Sequence, residues 1–264
     1  MLGAIIGDIV GSPYEFGDIK SKQFTLLHGG CMPTDDSIMT IAVGVACVRG
    51  DLSDEYAFKE TLIDAMHELG NLYPTVSYGE NFYYWLTERR REPYGSFGNG
   101  SAMRVSPTAW AADTLADVER LARWSAEVTH DHPEGVKGAM AVAAAIFMAR
   151  TGASKEEIRA YVEENYYTLD FTLDEIRPAY SFDVTCQGSV PEALMAFFES
   201  TDFEDAIRNA VSLGGDCDTQ AAMAGAVAEA FYGIPDDLQE KGLSYLDATL
   251  SDYYWSYADE LYAK

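Results

Sequence analysis

The sequence predicts an all-α protein, and three observations carry that expectation. Apolar residues recur at three- and four-residue spacing through most of the chain, residues that favour helix N-termini precede those runs, and strand-like alternation is scarce. In chain order, helices are expected at about 36–49, behind Thr34-Asp35-Asp36-Ser37, then at 54–69, 80–90, 101–112 and 115–128. Pro133 suits a first helical position for a helix reaching Arg150, because its missing N–H would be unpaired there anyway. Ser154 followed by Glu157 forms a capping box for 154–166, where each side chain satisfies the other's backbone N–H. Further helices fall at 190–199, at 202–213 behind Asp202, and at 219–232, 236–242 and 244–262. Residues 138–149 and 221–231 are Ala-rich almost all round, which suits central helices approached closely from several sides. Residues 70–79 and 165–187 read as longer connections, and with no repeat or Pro/Ser-rich linker the chain reads as one domain, 1–264. The expected architecture is a compact orthogonal multi-helix globule.

Composition limits the partners. The 264 residues include 18 basic and 43 acidic side chains, a formal charge of −25, spread as −9 over residues 1–132 and −16 over 133–264. A hydrophobic share of 48% is that of a folded globule, so the acidity does not indicate disorder. It argues against nucleic acid and anionic membrane, which are bound chiefly through Lys and Arg. Cys31, Cys47, Cys186 and Cys217 show no zinc spacing and suit a reducing compartment. The start of the chain lacks a basic leader, and the longest apolar run, 139–149, is too short to span a bilayer, so a cytoplasmic protein is expected.

Five segments depart from core-building logic. Thr34-Asp35-Asp36-Ser37 and Gly214-Gly215-Asp216-Cys217-Asp218-Thr219 each precede an apolar helix, and an N-cap explains either alone. Together they offer four carboxylates and two threonine hydroxyls. Like charges so close raise one another's pKa unless a cation holds them, and oxygen donors of this kind suit Mg²⁺, Mn²⁺ or Ca²⁺ rather than zinc. Four negative charges match two divalent ions, which can orient a substrate and activate water. The third segment, Ser96-Phe97-Gly98-Asn99-Gly100-Ser101-Ala102-Met103, is a Gly-rich loop that can turn backbone N–H groups toward a phosphate, with Phe97 placed either to stack on a base or to plug the core. The fourth, Thr129-His130-Asp131-His132, offers an imidazole for a sugar or phosphate oxygen. The fifth, from Gly7 through Asp8 to Glu15 and Phe16, reads as a loop and a mobile flap carrying Glu15 as a proton-transfer group.

Read in order, GAIIGDIVGSPYE, TDDS, GNGSAMR, THDHP and GGDCDTQAAMAGA resemble the ADP-ribosylglycohydrolases over nearly the whole chain. The resemblance implies an all-α fold with two Mg²⁺, or Mn²⁺, at the base of an ADP-ribose cleft. It puts Thr34, Asp35, Asp36, Asp216, Asp218 and Thr219 at metal-ligand positions and Glu15 on a flap beside them. Gly98, Asn99, Gly100, Ser101 and Met103 fall on the loop cradling the diphosphate, His130 near the ribose and phosphates, and Phe97 loosely on a cleft aromatic. The implied reaction releases ADP-ribose from an ADP-ribosylated protein or small conjugate, arginine-linked by preference, with Asp36, Asp218 or Glu15 managing protons. Two other readings are an inactive ADP-ribose-binding or structural relative and a metal-dependent phosphoesterase.

Overall fold

The computed structural model describes residues 1–17 and 19–264, and among these the chain is helical without a strand. The helices are α1 Leu2–Gly11, α2 Asp35–Arg49, α3 Glu55–Leu72, α4 Glu80–Thr87, α5 Gly100–Met103, α6 Thr108–Ala111, α7 Leu115–Glu127 and α8 Pro133–Arg150. They continue with α9 Lys155–Asn165, α10 Leu173–Ile176, α11 Val190–Phe198, α12 Phe203–Val211, α13 Cys217–Tyr232, α14 Asp236–Leu243 and α15 Ala248–Tyr262. Short 3₁₀ turns occupy Ser12–Tyr14 and Cys186–Gly188.

Local chemistry accounts for most helix starts. Thr34, Asp54, Thr114, Asp202 and Asp247 each accept a backbone N–H in the first turn of the following helix. Ser154 and Glu157 form the expected capping box, and Pro133 opens α8. The span expected as one helix at 101–112 is two, α5 and α6, because the chain turns at 104–107, where Pro107 cannot continue the first helix's hydrogen bonding. Both Ala-rich segments are buried: α13 runs through the centre, packed by α1, α2, α5, α8, α11 and α12.

The largest correction concerns residues 2–11, expected in part as a flap. They form the fully buried helix α1, lying along α13 with Gly3, Gly7 and Gly11 at the contact. A β-carbon on Gly3 would lie 2.3 Å from the carbonyl oxygen of Gly225, and one on Gly11 would lie 2.3 Å from the Cα of Asp218. Glycine is needed here because the two backbones touch. The glycines that lower helix propensity in isolation therefore permit the packing that stabilises the helix.

The long connection before α11 is also anchored. The Tyr180 hydroxyl donates to the Gly188 carbonyl at 2.7 Å and accepts from Gln220 Nε2 at 3.0 Å, tying the connection to α13. Asn99 N–H donates to Val184 O at 2.8 Å and Cys186 N–H to Phe97 O at 3.0 Å, so the same connection is paired with the Gly-rich loop.

Candidate active site

The N-termini of α2 and α13 meet beneath a cavity of about 630 Å³. Among the described residues its lining includes six carboxylates, those of Glu15, Asp35, Asp36, Glu80, Asp216 and Asp218, and a single guanidinium, Arg104. Gly214 and Gly215 both take φ near +69°, a left-handed double turn open to glycine at little cost, and this swings Asp216 and Asp218 into the cavity floor. Thr219 follows them and also lines it.

Two overlapping carboxylate trios form at the floor. Oxygens of Asp8, Asp36 and Asp218 lie within 4.8 Å of one another, as do oxygens of Glu15, Asp216 and Asp218. Asp218 belongs to both. Asp36 Oδ1 is buried with no hydrogen-bond partner among the described residues, while Asp36 Oδ2 accepts from Thr219 Oγ1 at 3.3 Å. Burial first, then the charges of neighbouring carboxylates, hold Asp35, Asp36 and Asp218 well above the ordinary carboxylate range. Glu15 is pushed up to about 7 by burial and by Asp216. Asp216 is raised by burial, and a hydrogen bond of 2.6 Å from Asn99 Nδ2 opposes the rise.

Asp8 carries no role in the sequence reading beyond the flap, yet it holds the N-terminus of α2. Its Oδ2 accepts from Thr34 N–H at 2.9 Å, Ser37 N–H at 3.0 Å and the Ser37 hydroxyl, and its Oδ1 accepts from Thr34 Oγ1 at 2.7 Å. A carboxylate inside an apolar helix face must be compensated in this way, so its isolation within GAIIGDIVG was a usable signal.

The structure separates the remaining sequence candidates. Asp35, Asp36, Asp216, Asp218, Thr219, Glu15, Gly98, Asn99, Gly100, Met103 and His130 all line the cavity. Thr34 does not; it is buried and bonded to Asp8 beside Asp36. Ser101 points away, donating to Gly135 O at 2.7 Å, and Phe97 sits on the surface with its ring edge-on to His132. Asn99 is occupied in holding Asp216. In the glycine loop the N–H groups of Gly98 and Asn99 are taken by Ser96 Oγ and Val184 O, whereas those of Gly100 and Ser101 have no protein acceptor among the described residues. Further lining comes from residues that the sequence reading did not single out: Ser77, Tyr78, Phe82, Tyr94, Phe182 and Val184. Phe16 stacks on Phe182, ring centroids 6.0 Å apart, at the exposed rim.

An all-α frame gathers carboxylates beneath a ligand-sized cleft, faced by a glycine loop whose Gly100 and Ser101 N–H groups have no protein acceptor among the described residues. The chain belongs to the ADP-ribosylglycohydrolase family, whose model matches residues 1–264. It is 28% identical to the mouse ADP-ribosylhydrolase ARH3, covering 91% of this chain and 85% of that protein. It is 29% identical to the ADP-ribosyl-(dinitrogen reductase) glycohydrolase of Rhodospirillum rubrum, covering 93% and 88%. To the ADP-ribosylarginine hydrolase Tri1 of Pseudomonas putida the identity is 27%, covering 89% and 70%. A solved ADP-ribosylglycohydrolase-related protein complex shares the fold, with a TM-score of 0.71 at 23% identity over 99% of this chain and 96% of that one.

Proposed function

We propose that the protein is a metal-dependent ADP-ribosyl hydrolase that cleaves the glycosidic bond between ADP-ribose and its acceptor, with Mg²⁺ or Mn²⁺ as cofactor and arginine-linked ADP-ribose as preferred substrate. The acceptor is an ADP-ribosylated protein or a small conjugate. The observation that carries this reading is the meeting of Glu15, Asp36, Asp216 and Asp218 on a cavity floor where, among the described residues, no Lys or Arg lines the cavity except Arg104.

The donor set fits divalent ions. Carboxylates raised by one another's charge, a buried Asp36 oxygen lacking a partner, and hydroxyls at Thr34 and Thr219 are hard oxygen donors. Two trios sharing Asp218 support a count of two. Thr34, Asp35, Asp36, Asp216, Asp218 and Thr219 would hold them. When bound, such ions bind sugar hydroxyls and lower the pKa of water.

The chain's own residues divide the remaining work. Glu15, half-buried and raised to about 7, is suited to hold or deliver a proton near neutral pH. The floor carboxylates oppose the positive charge that develops on the ribose as its C1 bond breaks. Gly100 and Ser101 N–H groups receive phosphate oxygens, and Tyr78, Phe82 and Tyr94 provide flat faces for the base. The rim, with Glu80 and the Phe16–Phe182 stack, suits a planar cation such as a guanidinium. The Pseudomonas relative, an ADP-ribosylarginine hydrolase, supports the same linkage.

The test is product analysis with ADP-ribosyl-arginine and Mg²⁺. Release of intact ADP-ribose, abolished by chelation, is expected. Binding of ADP-ribose without turnover would indicate an inactive relative, and inorganic phosphate as product would indicate a phosphoesterase.

A further inference from the structure

The cavity wall beside the glycine loop carries a polar chain that the proposed function leaves unused. Arg104 is 1% exposed, and its Nη2 donates to Ser125 O at 3.0 Å and to Thr129 Oγ1 at 2.8 Å. Thr129 is fully buried, and its Oγ1 lies 2.7 Å from His130 Nδ1. Proton arithmetic fixes the direction. A guanidinium only donates, so the Thr129 hydroxyl accepts from Arg104 and has one proton to give. Its other partner is Nδ1. If Nδ1 carried the imidazole proton instead, the Thr129 proton would be left buried without an acceptor, the costly arrangement.

We propose that Arg104 and Thr129 are positioning residues that fix His130 as the neutral tautomer protonated on Nε2, so that Nε2 donates a hydrogen bond to an oxygen of the bound ligand. The geometry of the loop agrees. Nε2 has no protein partner among the described residues, and it stands 3.1 Å from where a β-carbon on Gly100 would be and 3.6 Å from one on Gly98. The two glycines therefore keep open the space that Nε2 faces, beside the N–H groups of Gly100 and Ser101. Burial and the charge of Arg104 also keep the ring from protonating, holding it well below the ordinary histidine value. Arg104 thus acts on the ligand through a neutral donor whose orientation it sets. An oxygen anion is best met by a donor held in place before binding.

The identity of the ligand, though not the tautomer, rests on the function proposed above. Long-range ¹H–¹⁵N correlation spectra of the labelled protein report the tautomer directly, with the His130 signals assigned by their loss in His130→Gln. The expected spectrum has a proton-free Nδ1 and a protonated Nε2, unchanged from about pH 6 to 8, in wild type and in Thr129→Ser. Thr129→Val is expected to give mixed tautomers and to weaken ADP-ribose binding about threefold to tenfold, the worth of one hydrogen bond, with Thr129→Ser restoring it. A wild-type spectrum showing the proton on Nδ1 overturns the relay, whether or not Thr129→Val folds. A valine variant with unaltered tautomer and affinity overturns it as well. Failure of ADP-ribose to bind wild type would refute the ligand assigned to the cavity, while the spectra still decide the tautomer.

Discussion

Replacing Gly7 by alanine tests the contact that brings the two halves of the site together. A β-carbon there would lie 2.0 Å from the carbonyl oxygen of Ala221 and 2.7 Å from the amide nitrogen of Ala222, some 1.4 Å inside ordinary contact with the first. Both are main-chain atoms of α13, so no rotamer change relieves the clash and the helices must move apart. Alanine in a helix interior is by itself favoured over glycine by about 0.8–1.0 kcal/mol. Overpacking costs about 1–3 kcal/mol, with the upper end appropriate where backbone must shift. The clash wins, with a net loss of about 1–2 kcal/mol, or about 2–8 °C in unfolding midpoint for a protein of this size. Because α1 carries Asp8 and α13 carries Asp218, the same shift should weaken Mn²⁺ binding. Thermal unfolding with chelator, followed by Mn²⁺ titration calorimetry, reads both. A midpoint at or above that of wild type would show that helix propensity outweighs the contact, and the packing argument would be wrong.

Three further outcomes follow from the carboxylate cluster. Asp218→Asn removes a charge facing Asp36, Asp216 and Glu15, so the metal-free midpoint should hold or rise while turnover and the stabilisation by Mg²⁺ disappear; an unchanged response to Mg²⁺ in the melt would contradict this. Glu15 rises from its ordinary 4.5 to about 7, and Asp36 and Asp218 are also raised, so the folded state binds more protons than the unfolded one. The contribution of Glu15 is full below about pH 4.5 and is lost as pH climbs through 7, and those of Asp36 and Asp218 change in the same direction, so the metal-free midpoint should fall from about pH 5.5 to 8 and saturating Mg²⁺ should flatten the profile. A metal-free midpoint that rises over that interval contradicts the cluster. Glu15→Gln should slow turnover about a hundredfold, the low end of what positioned proton transfer contributes, with a smaller change in Mn²⁺ affinity; full activity would return Glu15 to a spectator role.

Much of this was legible in the sequence, for physical reasons that differ by element. Thr34, Ser154 and Asp202 announce helix starts because an N-cap is a local device, complete within four residues. The acidic pairs of the floor stand out because nothing in core packing requires two aspartates at a buried helix start. Helix α1 is misread because its glycines and lack of a polar face follow from α13 lying against it, a partner more than two hundred residues away in the chain. Asp8 likewise depends on tertiary partners, its carboxylate accepting from α2 and from the residue capping it. The individual wall residues were unreadable for a related reason. Tyr78, Phe82, Tyr94 and Phe182 have ordinary core chemistry, and only the tertiary fold turns them toward a cleft. Ser101 and Phe97 show the converse, since a motif places its backbone well while single side chains within it point elsewhere.

With a formal charge of −25, long-range steering opposes the diphosphate ligand proposed here, and on that proposal its affinity arises at short range, from divalent ions and fixed hydrogen-bond donors. Turnover of arginine-, serine- and O-acetyl-linked ADP-ribose, each with Mg²⁺ and with chelator, tests that account most directly. The expected result is release of intact ADP-ribose, fastest from the arginine linkage and absent without metal. Equal turnover in chelator, or no release from any linkage with Mg²⁺ present, would contradict it.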